Sequence, residues 1–120
     1  MITGIGTAMV YVSDQEESLQ FYRDVLGFTV VTDQEMGPGM RWVEVAPPQG
    51  HTTIALHDAG ASGKRAGEGA YLTFACDDVA ATVADLRSRG AVVSDPEEQP
   101  WGTFATVEGP DGHQVQFHRK

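Results

Sequence analysis

The chain has 120 residues, of which 41% are hydrophobic and 21% charged. That is the length and mix of one globular domain; it excludes general disorder, and no apolar run reaches the ~20 residues of a membrane span. Eight Lys and Arg against 17 Asp and Glu leave a net charge of −9, which argues against a nucleic-acid face, because such a face needs clustered cations to displace counterions.

The lone cysteine, Cys76, excludes an intrachain disulfide and a thiolate zinc site. Residues 1–10 carry no basic region and no cleavage-site pattern, so they do not read as a secretory signal. A soluble cytoplasmic protein is the expectation, with an acidic surface that suits cationic ligands.

The first predicted element is a strand, Thr7 to Val12, ending at Ser13-Asp14. A helix follows, capped by Ser13 or Asp14, with Glu16 or Glu17 placed for a capping box. Its apolar positions are Leu19, Tyr22 and Leu26, and Gly27 fits the position just past its end. Strands are then expected at Phe28–Thr32, Arg41–Val45 and Thr52–His57. Asp58 to Gly69 is rich in Gly, Ala and Ser and reads as a linker.

The same order then repeats. Tyr71 to Asp78 has the form of the first strand and helix start, and Val79, Val83 and Leu86 mark the second helix, with Gly90 after it. Strands follow at Ala91–Val93, Thr103–Val107 and His113–His118, and Glu97-Glu98 reads as a solvated loop. The unit is β-α-β-β-β written twice, as a single domain: about 1–58, a linker at 59–69, and 70–120. The fold class is α+β.

One helix per four strands covers one face of each sheet, so period-2 alternation assigns the faces. Ala8, Val10, Val12, Ile54, Leu56, Leu72, Phe74, Cys76, Val115 and Phe117 are expected against the helices. The alternate set, Thr7, Met9, Tyr11, Thr53, Ala55, His57, Tyr71, Thr73, Ala75, Gln114, Gln116 and His118, is too polar for a core and too apolar for plain solvent. Such a face lines a cavity. In Arg41-Trp-Val-Glu-Val45 the valines go to the core, leaving Trp42 and Glu44 toward the cavity. Phe104 holds the equivalent place in the second half, and Trp101 sits at the mouth of its strand. Aromatic rings beside a carboxylate suit a flat, cationic organic molecule.

The segments TAMVYVSDQEESLQFYRDVLGFTVV and EGPDGHQVQFH resemble the vicinal-oxygen-chelate superfamily, also called the glyoxalase, bleomycin-resistance and extradiol-dioxygenase superfamily. The markers are the strand-Asp-helix block with FYxxxLGF and the turn before the last strand, here GPDGH. The resemblance implies paired βαβββ modules, with mixed sheets curled around a cleft and helices outside, commonly assembled as a homodimer. It also implies a metal set of His, Glu, His, Glu. The matching positions here are Thr7, Ala55, Tyr71 and Gln116, a set without three good donors.

These readings lead to a metal-free, cofactor-free protein that sequesters an aromatic or cationic compound, as antibiotic-binding members of the family do. Its contacts would be Tyr11, Trp42, Glu44, His57, Tyr71, Trp101, Phe104, Gln116 and His118. The alternative is a lyase, isomerase or dioxygenase whose metal is held by His57 and His118 with Glu44. A metal-free enzyme using Glu44 or a His as proton shuttle is a third.

Overall fold

A computed structural model describes residues 1–69 and 71–119. Ala70 and Lys120, which fall in the second expected module, lie outside them. The chain divides into two compact units, residues 1–70 and 71–120.

The first unit runs β1 (Thr7–Val12), α1 (Gln15–Gln20) with a π-helical turn over Phe21–Val25, β2 (Thr29–Gly37), β3 (Met40–Ala46) and β4 (Thr53–Asp58). The second runs β5 (Thr73–Cys76), α2 (Val79–Ser88), β6 (Glu97–Gln99), β7 (Gly102–Glu108) and β8 (Gln114–Arg119), with a 3-10 turn at Pro110–Gly112. Each sheet has four strands, ordered β1-β4-β3-β2 and β5-β8-β7-β6. First and last strands are parallel in each, and the other pairs are antiparallel. This is an α+β fold of two βαβββ modules with mixed sheets.

The helices start where the carboxylates can cap them. Asp14 Oδ1 accepts from the Glu17 amide at 3.0 Å, and Asp78 Oδ1 from the Ala81 amide at 3.0 Å. Asp14, not Ser13, is therefore the cap of α1. Gly27 follows the π-helical turn with φ of 78°, a left-handed conformation that disfavours a Cβ.

The α1 helix packs on β3 and β4, and α2 on β7 and β8. Between α1 and its sheet lie Leu19, Tyr22, Val10, Val43, Val45, Ile54 and Leu56, all at most 3% exposed. Leu26, expected on that face, is only half-buried. Val79, Val83 and Leu86 of α2 are buried, as are Ala105, Val107, Val115 and Phe117 on the strands. Each buried Val, Leu, Ile or Phe side chain among these contributes roughly 1.5–3 kcal/mol.

Three expectations for the strands need correction. β2 extends to Gly37 through Asp33, Gln34 and Glu35, because hydrogen bonding to β3 sustains an edge strand that has no apolar pattern. Glu97-Glu98 is not a loop but belongs to edge strand β6, whose residues are exposed. Ala91–Val93 makes only an isolated bridge, Val93 to Val107.

The Gly-rich segment after β4 lies against the free edge of β1. The Tyr11 amide donates to the Glu68 carbonyl at 2.9 Å, and the Gly67 amide donates to the Tyr11 carbonyl at 2.7 Å. Gly69 bridges Val10, and a Cβ there would sit 2.3 Å from the Met9 carbonyl oxygen. No side chain fits that approach. The segment thereby covers backbone groups that an edge strand would otherwise expose.

Candidate functional sites

On the face of the first sheet away from α1, strand register decides which side chains meet. Tyr11 of β1 stands opposite His57 of β4, and Ala55 of β4 opposite Glu44 of β3. The His57 ring contacts two others edge-on. Its centroid is 5.9 Å from Tyr11 at 79° and 5.5 Å from Trp42 at 71°. Trp42 Nε1 donates to Glu44 Oε1. The structure therefore brings together Tyr11, Trp42, Glu44 and His57, all half-buried. The Lys64 ammonium stands 5.8 Å from the centre of the Tyr11 ring, within cation–π range.

A recess of about 290 Å³ opens beside these rings, lined by Met36, Met40, Arg41, Trp42, His57 and Asp58 among others. Arg41 is held on its rim. Its guanidinium donates to both oxygens of Asp33 at 2.8 Å and to Glu16 at 3.0 Å. These bonds raise the Arg41 pKa, Asp33 contributing most, and they hold Asp33 below its ordinary value. Glu16 is also lowered, by Gln20 first and Arg41 second. A cation committed to two carboxylates fixes the start of β3, on which Trp42 sits.

The second unit has its own recess, of about 200 Å³, lined by Thr73, Trp101, Thr103, Phe104, Gln116, His118 and neighbours. Four of the expected contacts meet there. Phe104 is opposite His118 on adjacent strands, and His118 Nδ1 shares a hydrogen with Thr73 Oγ1 at 2.8 Å. Trp101 is 79% exposed at the rim. Tyr71 stands apart: it precedes β5, is 75% exposed and does not line this recess.

The positions that the family resemblance assigns to metal ligands do not fit a divalent ion. The Thr7 hydroxyl is 2.9 Å from that of Thr53. Ala55 has no donor atom and is 1% exposed. Tyr71 offers a phenol and Gln116 a neutral amide, both weak ligands. Among the described residues, no three His, Cys, Asp or Glu side chains form a group that could hold a metal ion. His57 lies between aromatic rings and His118 beside Thr73, each in a different unit.

One residue of the first site has no counterpart in the sequence reading. Gln15, the first residue of α1, donates from Nε2 to the Arg41 carbonyl at 2.8 Å and to the Leu56 carbonyl at 2.9 Å. Those carbonyls belong to the residues just before Trp42 and His57. The only available signal was its place in the repeat, where the second unit has Val79.

The family model for the Glyoxalase/Bleomycin resistance protein/Dioxygenase superfamily matches residues 4–117. The YetH protein of Bacillus subtilis (strain 168) is 32% identical over 94% of this chain and 95% of its own. A probable lactoylglutathione lyase of Synechocystis sp. (strain ATCC 27184 / PCC 6803 / Kazusa) is 29% identical over 91% and 89%. Among solved structures, TnmS3, an antibiotic binding protein from Streptomyces sp. CB03234, has a TM-score of 0.87 and 35% identity, covering 98% of this chain and 96% of its own.

Proposed function

The chain belongs to the glyoxalase/bleomycin resistance protein/dioxygenase superfamily, and from that premise we propose that it sequesters a small aromatic or cationic compound, such as an antibiotic, without a metal ion. The observation that carries this reading is the Tyr11–His57–Trp42 ring array with Glu44 bonded to the indole. The likeness to the antibiotic binding protein TnmS3 supports it.

Several contacts of this site would contribute to affinity together. A flat ligand stacked on the Trp42 indole gains about 0.5–1.5 kcal/mol beyond area burial. A ligand cation placed over the ring adds about 2 kcal/mol once water is excluded. Glu44 already holds the indole N–H through Oε1, so Oε2 is the oxygen that accepts from a ligand N–H. That bond also keeps the indole from rotating, which lowers the entropic cost of binding. In this reading the recess of the second unit, with Trp101, Phe104, Gln116 and His118, is a weaker contact surface of the same kind, and Tyr71 an outlying contact. The protein acts as a cytoplasmic homodimer.

Titration of tryptophan fluorescence and calorimetry against a panel of planar antibiotics and cationic dyes tests the reading. Micromolar binding that is lost in Trp42→Ala supports it. Binding no tighter than millimolar across the panel overturns it. Elemental analysis of protein purified without chelator tests the enzymatic alternative, to which the Synechocystis relative lends support. Near-stoichiometric Fe, Mn, Ni or Zn that is lost in His57→Ala would replace sequestration with metal-dependent chemistry. Sedimentation velocity reads the dimer.

A further inference from the structure

The two sheets share a topology, so each is a control for the other. In the second unit, β7 and β8 pair without interruption from Phe104–His118 to Glu108–Gln114. In the first, β3 and β4 pair only at Glu44–Ala55 and Val45–Ile54. The repeat aligns Glu44–Ala55 with Thr106–Gln116. The two pairs missing beyond it are Val43–Leu56 and Trp42–His57, where the second unit has Ala105–Phe117 and Phe104–His118. The ladder of the first unit is thus open at the end that carries the aromatic recess.

Gln15 accounts for the opening. A single nitrogen can lie 2.8 Å from the Arg41 oxygen and 2.9 Å from the Leu56 oxygen only if both carbonyls point into the space between β3 and β4. In a closed antiparallel ladder, carbonyls facing that space accept from backbone N–H groups of the opposite strand. Here both hydrogens of the Gln15 amide serve instead, so separating the strands leaves neither carbonyl unsatisfied. The aligned residue of the second unit, Val79, follows its Asp78 cap as Gln15 follows Asp14. A valine has no donor, and it is buried against a closed ladder.

We infer that Gln15 is a positioning residue that wedges β3 from β4 and so sets the spacing of Trp42 and His57 at the mouth of the recess. Its value to ligand binding rests on the function proposed above; the wedge itself does not. The side chain acts through the backbone and does not line the recess.

The test replaces Gln15 with the residue that the other unit uses. In a Trp101→Phe background, Trp42 is the remaining indole, since the chain has two tryptophans. Gln15→Val is expected to close the ladder, giving cross-strand backbone NOEs between Val43 and Leu56 that the parent lacks. Acrylamide quenching of Trp42 is expected to change about twofold, and affinity for the planar cationic dye proflavine to fall about tenfold, because recognition geometry is sensitive to small displacements. Gln15→Met keeps the length without the hydrogens and guards against a packing defect specific to valine.

Unchanged β3–β4 pairing in both variants would overturn the wedge. Closed pairing with proflavine affinity within about twofold of the parent would overturn its role in the site. If the parent binds no proflavine, the NMR and quenching measurements still decide the wedge, and the binding reading is what loses support.

Discussion

Where Trp42 and His57 stand, β3 and β4 are unpaired; at the aligned place in the second sheet, Phe104 and His118 are paired. Both units have the same strand order, the same Asp cap and the same valine-rich core. The inferred cause is one side chain at the start of the helix, Gln15 in one unit and Val79 in the other. A duplicated fold can thus keep its core fixed and vary the face opposite the helix, since period-2 alternation uncouples the two.

The cores of the two units should respond alike. Phe117→Ala is expected to cost about 3–5 kcal/mol and the aligned Leu56→Ala about 2–5 kcal/mol, because both side chains are at most 4% exposed. Denaturant unfolding of the two variants measures this. A cost under about 1 kcal/mol for either would mean that its unit lacks the packed core described.

The faces should respond unequally. Trp42→Ala is expected to weaken binding of a planar ligand by tenfold to about a hundredfold, and Trp101→Ala by less than about threefold. Trp42 is half-buried beside His57, whereas Trp101 is 79% exposed. Calorimetry on both variants reads the contrast, and equal losses would erase it.

The caps should again respond alike. Asp14→Ala and Asp78→Ala each remove one carboxylate from one helix start and are expected to cost about 1 kcal/mol. Thermal unfolding at pH 7 compares them.

Acid should separate the units, with the smallest effects. Burial lowers the His113 pKa in the second unit, against the opposing charge of Asp111. A depressed folded-state pKa means that the unfolded chain takes up the proton first, so this stability is present above the ordinary 6.5 and lost as the pH falls from there through the folded value. In the first unit, Asp33 is held by Arg41 below its ordinary 3.8, and Glu16 by Gln20 and Arg41 below 4.5. Their contribution is present above those values and lost as the pH falls below them. Amide exchange across pH 7 to 3 should therefore show the surroundings of His113 loosening before those of Arg41. The reverse order would contradict the assignment.

Much of this architecture was legible in the chain. The repeat, the capping aspartates and the alternation on β1, β3, β4, β7 and β8 are strong signals, because burial on one face imposes a period. Edge strands carry no such constraint, which is why Gln34-Glu35 and Glu97-Glu98 gave no strand pattern and pair through backbone alone. Within the candidate sites, Tyr11, Trp42, Glu44 and His57 followed from facing, as did Phe104, Gln116 and His118. Gln15 did not. A lone glutamine at a helix start has no periodicity, and its bonds go to carbonyls 26 and 41 residues away. Only the contrast with Val79 in the aligned repeat marks it.

The first unit's opened aromatic face is proposed as the principal ligand site. The two indole N–H resonances of Trp42 and Trp101 test this most directly, assigned by single Trp→Phe substitutions and followed while proflavine is added. The Trp42 resonance is expected to shift and saturate at low dye while that of Trp101 moves little. Movement of Trp101 alone, with Trp42 unperturbed at saturation, would contradict it.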